Sequence, residues 1–248
     1  MPTEYAIEMK GITKTFGSVV ANKDVDLTLR KGEILALYRR CADSGDRRVR
    51  ERAERMLISQ YMAQGELEQA EEQLARLPQE DRERPMLEAM LRRKQKRSEE
   101  AWPILERELF RQASDLQSTL MALMDLALEA GDKTCARQYS ETAEQAGRVF
   151  QLTAYAVASA PLQLAPAEQD GPEALAVLER LLRSLEEPWD LSASPLYRHL
   201  PTKEAAREVQ QIMLQYLLEE LERDPESAFL RETPGYQEML ERVHRAEI

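Results

Sequence analysis

"RRVRERAERMLISQYMAQGELEQAEEQLARLP" (residues 47–78) holds two hydrophobic periods and the punctuation between them. Val49, Ala53, Met56, Leu57 and Tyr61 recur at helical spacing. Gly65 then stands where a helix end needs a left-handed residue. A second helical run follows at Leu67, Ala70, Leu74 and Leu77, and Pro78 stops it. The stretch predicts two helices folded back on each other across a very short turn.

The pattern recurs downstream. An alanine just inside the second helix of each pair is found at Ala70, Ala101, Ala136 and Ala174, at spacings of 31, 35 and 38. Leu74, Leu105 and Leu178 follow three of them by one helical turn, and Gly65 and Gly131 precede two of them by five residues. A small residue lets two helix backbones approach, and a leucine one turn on fills the groove beside it. Small-then-large apolar residues at a period of about 34 resemble the tetratricopeptide repeat. The predicted fold is therefore all-α: a right-handed array of about four tetratricopeptide-like helical hairpins with a short N-terminal β segment. Loops are expected around Asp170–Pro172 and over "EEPWDLSASPLYRHLP", which are rich in Pro and Ser. Beyond them, Val209, Ile212, Met213, Tyr216, Leu217 and Leu221 predict one amphipathic helix, and Tyr236, Leu240 and Val243 a shorter last one.

The chain begins differently. Ile7, Met9 and Ile12, then Val25, Leu27 and Leu29, partly alternate between Gly17 and Gly32, which reads as strands over roughly 5–12, 24–29 and 33–37. "MKGITKTFGSVVANKDVDLTLRKGEILAL" resembles the opening of the ATP-binding subunit of bacterial sugar or nucleoside ABC importers. That resemblance implies that Phe16 stacks on adenine and that "KGEILAL" leads into a phosphate loop. Residues 38–47, "YRRCADSGDR", hold no Gly-Lys-Ser/Thr to cradle a triphosphate or hold Mg²⁺. The chain thus divides into a truncated ABC ATPase-like β segment, 1–37, and a helical array, 38–248. The array also resembles the C-terminal regions of Firmicutes helix-turn-helix transcription regulators. The carriers are "LYRRCADSGDRRVRERAERMLISQYMAQGELEQAEEQLARLP" and "FLRETPGYQEMLERV". This second resemblance implies a sensory or dimerisation module rather than an enzyme.

Composition narrows the function. A net charge of −11 repels phosphate backbones on average, so nucleic acid is an unfavoured partner. Two basic clusters, Arg39 to Arg55 and "RRKQKR" at 92–97, have glutamates at helical pairing distance and no interleaved aromatics, which reads as a solvated, ion-paired helix face. Cys41 and Cys135 lie far apart with no histidine near, so no metal site is expected and the thiols fit a reducing, cytoplasmic setting. No apolar run reaches the ~18 residues of a membrane span. His199 in a Pro-flanked segment reads as an exposed or capping histidine, and no residue is assigned a catalytic role. Trp102, Trp189 and Tyr197 are the candidates for a partner groove, against the alternative that they are core aromatics. The expected function is a protein- or peptide-interaction scaffold without cofactor, with self-association as one mode; the alternative is a nucleotide-binding ABC-type subunit.

Overall fold

The computed structural model describes residues 5–16, 19–30, 32–186, 190–201 and 206–246. The protein is mostly helical and divides into two compact units, residues 1–104 and 105–248.

In the first unit, β1 (Tyr5–Phe16) and β2 (Val19–Arg30) pair antiparallel as a two-stranded ribbon. Gly11, at φ 63°, sits in a register shift and donates its N–H to the Asp26 carboxylate at 2.7 Å. Ile7, Met9, Ile12, Val20 and Val25 are all exposed, so the ribbon has no buried face among its described side chains.

The third expected strand is instead the beginning of α1 (Glu33–Ala42), which runs across the 37/38 boundary read from the sequence. Glu, Leu, Ala and Arg are good helix formers. Among the described residues no third strand is available to pair with 33–37, so a helix satisfies the backbone internally. Leu35, Tyr38 and Ala42, on one face, pack on the first core. Glu33 in the first turn and Arg39 and Arg40 in the last complement the helix dipole.

That core joins α1 to α2 (Arg47–Gln64), α3 (Leu67–Arg76) and α4 (Arg84–Lys94). Asp46 caps α2 by accepting from the N–H groups of Arg48 and Val49, and Gly65, at φ 80°, ends it as expected. Leu57, Ile58, Ala70, Leu74, Leu77 and Leu91 are buried. Each of the two basic clusters is ion-paired in part: Arg47 pairs with Glu51 at 2.5 Å and Arg55 with Asp81 at 2.5 Å in the first, and Arg92 with Glu71 at 2.7 Å in the second. α5 (Ser98–Glu129) begins in this unit and continues into the next. Pro103 lies inside it and forfeits one helical hydrogen bond.

The second unit holds the rest of α5, then α6 (Lys133–Val149), α7 (Ala154–Glu168), α8 (Gly171–Glu186), α9 (Ala206–Arg223), α10 (Ala228–Arg231) and α11 (Tyr236–Ala246). Met124 and Ala127 of α5 share a core with Ala136 and Ala143 of α6 and with Ala160 and Leu164 of α7. A further core gathers Leu175, Leu178 and Leu182 of α8, Leu221 of α9, Leu230 of α10, and Tyr236 and Met239 of α11. The recurring alanines are buried throughout: Ala70, Ala101, Ala136 and Ala174 are each at most 3% exposed. Leu74 and Leu178 are buried with them, and Leu105 half-buried. On α9 the expected apolar stripe splits. Leu217 and Leu221 turn inward, while Ile212 and Tyr216 are 63% and 72% exposed.

Candidate interaction groove on α6, α7 and α8

α6 presents a row of small buried residues, Ala136, Ser140, Ala143 and Gly147, spaced to lie on one face. Their size sets the distance to α7. A Cβ placed on Gly147 would lie 3.0 Å from Val157 Cγ2 and 3.3 Å from its Cα, so glycine is what lets the two backbones meet. Thr153 caps α7 through the N–H of Ala156 at 3.0 Å, and the carbonyl of Ala156 takes a further bond from the buried Gln117 amide of α5. Pro161 and Pro166 lie within α7, each removing one N–H from its ladder.

Above α7 these helices leave a groove of about 270 Å³. Pro161, Leu164 and Ala165 form its floor. α6 contributes Arg137, Ser140, Glu141 and Glu144 to one wall, and α8 contributes Glu173, Ala174 and Val177 to the other. Glu168 and Asp170 close the end where α7 turns into α8. The lining carries five carboxylates against one guanidinium.

Several of those carboxylates are engaged. Arg137 Nε meets Glu168 Oε1 at 2.7 Å. Glu144 Oε1 is held by Arg148 at 2.5 Å, with Arg180 at 3.7 Å. Asp170 accepts from the N–H of Glu173 at 3.2 Å, which caps α8. Arg137, one turn from Glu141 on α6, also feels the charge of Glu141 and of Asp170. Ser140 is only 3% exposed, lines the groove, and makes no hydrogen bond among the described residues. That is unusual here: Ser114, Ser118, Thr142 and Ser159 all donate to the carbonyl four residues back in their own helices.

The aromatic candidates do not converge. Trp102 is 46% exposed near the start of α5, in the first unit. Trp189 lies outside the described residues. Phe16 closes β1 opposite Val19 in the register. Tyr197 is a core residue, fully buried, and so presents no surface to a partner. Its hydroxyl donates to the carbonyl of Phe150 at 2.6 Å, and its ring stands edge-on to Phe110 at 5.5 Å and 84°.

His199, beside it, is partly buried in a turn and leans on α5. Its backbone N–H donates to Glu106 Oε2 at 2.9 Å, and its Nδ1 lies 2.5 Å from Oε1 of the same buried carboxylate. With Ser194 donating to Gln151 at 2.6 Å, these contacts clasp the 190–200 segment to α5 and to the end of α6.

Two features went unnoticed in the sequence. Ser140 had a visible signal, as the polar interruption of the row Ala136–Ala143–Gly147. The other is a motif, Leu-x-Arg-x-Pro-x5-Arg, that occurs at Leu74–Arg84 and again at Leu221–Arg231. In both copies the last arginine bonds back to the end of the preceding helix. Arg84 Nη1 reaches the carbonyls of Leu74 at 2.6 Å and Leu77 at 2.5 Å, and Arg231 Nη1 those of Leu221 at 2.6 Å and Asp224 at 2.9 Å. Each guanidinium satisfies carbonyls that a helix end leaves without donors.

Among the described residues, no group of three or more His, Cys, Asp or Glu is placed to hold a metal ion, and no helix is long and apolar enough to cross a membrane. No protein-family model, no curated protein and no solved structure matches the chain.

Proposed function

We propose that the chain is a protein- or peptide-interaction scaffold, the sensory or dimerisation part of a regulator, that acts by binding and carries out no chemical step. The observation that carries this reading is the groove on α6, α7 and α8, with an apolar floor between two charged walls. Consecutive helices that pack on their sequence neighbours, with buried alanines at the close approaches, support a tetratricopeptide-like arrangement. Such surfaces bind segments of other chains by seating side chains between helices. The opening segment supports the same reading over the nucleotide-binding one: where the ABC resemblance requires a strand entering a phosphate loop, residues 33–42 form a helix.

Thermal-shift titration tests the choice. ATP with Mg²⁺ at millimolar concentration is expected to leave the melting temperature of the full chain unchanged, because a ligand that binds only the folded state must raise it. At least one member of a panel of short peptides is expected to raise it. A nucleotide-dependent rise with no response to any peptide overturns the reading.

A further inference from the structure

We propose that the outer edge of β2 pairs about a two-fold axis with the same edge of a second copy of this chain, so that two ribbons join into one antiparallel sheet of four strands. This rests on the dimerisation form of the scaffold reading and names the element that joins the copies.

The ribbon leaves a physical requirement unmet. A lone pair of strands is marginal in water, and a sheet gains independent stability from three or more strands that share an apolar face. The face is present. Val25 and Leu29 fall on one side of β2 by the two-residue alternation, their register partners in β1 are Ile12 and Ile7, and Met9 stands opposite Leu27 between them. Ile7, Met9, Ile12 and Val25 are nevertheless between 37% and 43% exposed. The two edges are unequal. β1 is blunted by Lys10 and Lys14, by Gly11 at φ 63°, and by register shifts on either side of Ile12. On β2 the stretch "VDLTL", residues 25–29, runs without lysine, and the extra residues of the shift between Met9 and Ile12 lie in β1. Its single charge, Asp26, is turned to the Gly11 N–H of β1 at 2.7 Å.

Charge selects the occupant and the register together. A two-fold axis through Leu27 sets Val25 opposite Leu29 of the second copy, Asp26 opposite Thr28, and Asp24 opposite Arg30. Apolar residues then meet on one face, and each acid on the other face meets a hydroxyl or a guanidinium. An axis through Asp26 sets that residue against its own copy, and one through Val25 sets Asp24 against Asp26; like charges directly opposite destabilise a strand pair. An axis between two residues sets the apolar face of one copy beside the polar face of the other. Because both copies offer the same edge, the contact closes at two chains and leaves outside only the blunted β1 edges.

Light scattering on the full chain reads the mass directly. It is expected to rise from 28.5 kDa towards twice that value between roughly 1 and 100 μM, the range that a short edge contact calls for. Register is read by oxidising single cysteines with copper–phenanthroline in a Cys41→Ser/Cys135→Ser background. Directly opposed strand positions, ~4.5–5.5 Å apart at Cα, lie within reach of a disulfide. Leu27→Cys is expected to cross-link to its own copy. Val25→Cys and Leu29→Cys are each expected to remain single, and to cross-link when the two are mixed. Before oxidation every variant is expected to double in mass as the parent does, which shows that its edge is intact. A mass that stays at one chain over the whole range overturns the proposal and leaves the scaffold reading to its peptide titration. A doubled mass without the Leu27→Cys cross-link overturns it too, since the copies then meet through another surface and the dimerisation form of the scaffold reading stands. Masses that grow beyond two chains, with all three variants cross-linking alone, mean open-ended growth and likewise overturn it.

Discussion

Tyr197 and Tyr236 are both essentially inaccessible, at 0% and 1% exposure, yet their hydroxyls differ. Tyr197 donates to the Phe150 carbonyl at 2.6 Å, whereas Tyr236 Oη is buried with no hydrogen-bond partner. The same substitution, tyrosine to phenylalanine, should therefore have opposite signs at the two sites. Tyr197→Phe keeps the ring and its edge-on contact with Phe110. It removes a hydrogen bond worth ~1 kcal/mol and leaves a partly buried carbonyl without its donor, for a total of ~2 kcal/mol. Tyr236→Phe removes a desolvated hydroxyl that gains nothing in the folded state, and should stabilise by about 1 kcal/mol. The two variants should thus differ by roughly 3 kcal/mol, or about a hundredfold in the folding equilibrium. Urea denaturation followed by circular dichroism reads this as midpoints that move in opposite directions at constant slope. In melting temperature the pair should separate by roughly 6–12 °C, at 2–4 °C per kcal/mol for a chain of this size. Equal losses in the two variants would refute the reasoning, since Tyr236 would then have to bond a partner in the folded protein.

Two further predictions concern charge. Arg84→Ala and Arg231→Ala each remove paired guanidinium–carbonyl bonds at a helix end and should each cost about 1.5–3 kcal/mol; hydrogen exchange should localise the loss to the last turns of α3 and α9. The acid limb of stability should trace Glu71 and Glu108. Hydrogen bonds from Gln95 and Arg92 hold the first carboxyl below its ordinary range, and those from Arg111 and Gln112 hold the second. Their folded values are depressed, so their contribution is complete above the unfolded value of about 4.3 and is lost as pH falls through the folded values. Melting temperature between pH 6 and pH 3 should drop less steeply in Arg111→Ala, and a parallel drop would exclude Glu108 from that role.

What the sequence disclosed and what it hid follow a physical line. Local periodicity disclosed α2 and α3, the left-handed glycine at 65, and the recurring alanines that are buried, because each is decided within a turn or two of chain. The strand expected at 33–37 failed because "GEILAL" fits either structure, and strand or helix there depends on whether a sheet is present to receive it. For Tyr197 the sequence offered both a groove and a core reading, and the choice is set by what the loop meets, here Phe110 and the end of α6. Glu106 was illegible altogether, since a buried carboxylate reveals itself only through a partner ninety-three positions away.

The opening ribbon has a practical consequence. Two strands of twelve residues leave their outer N–H and C=O rows without a neighbouring strand among the described residues. Open rows of that kind invite templated growth from other chains. The charged side chains at Lys10, Lys14 and Lys23 and the register breaks after Met9 and Ile12 roughen that template. Preparations that neutralise the lysines, by acetylation or high salt, should therefore be the ones that turn cloudy first, and trimming the ribbon away should cure them.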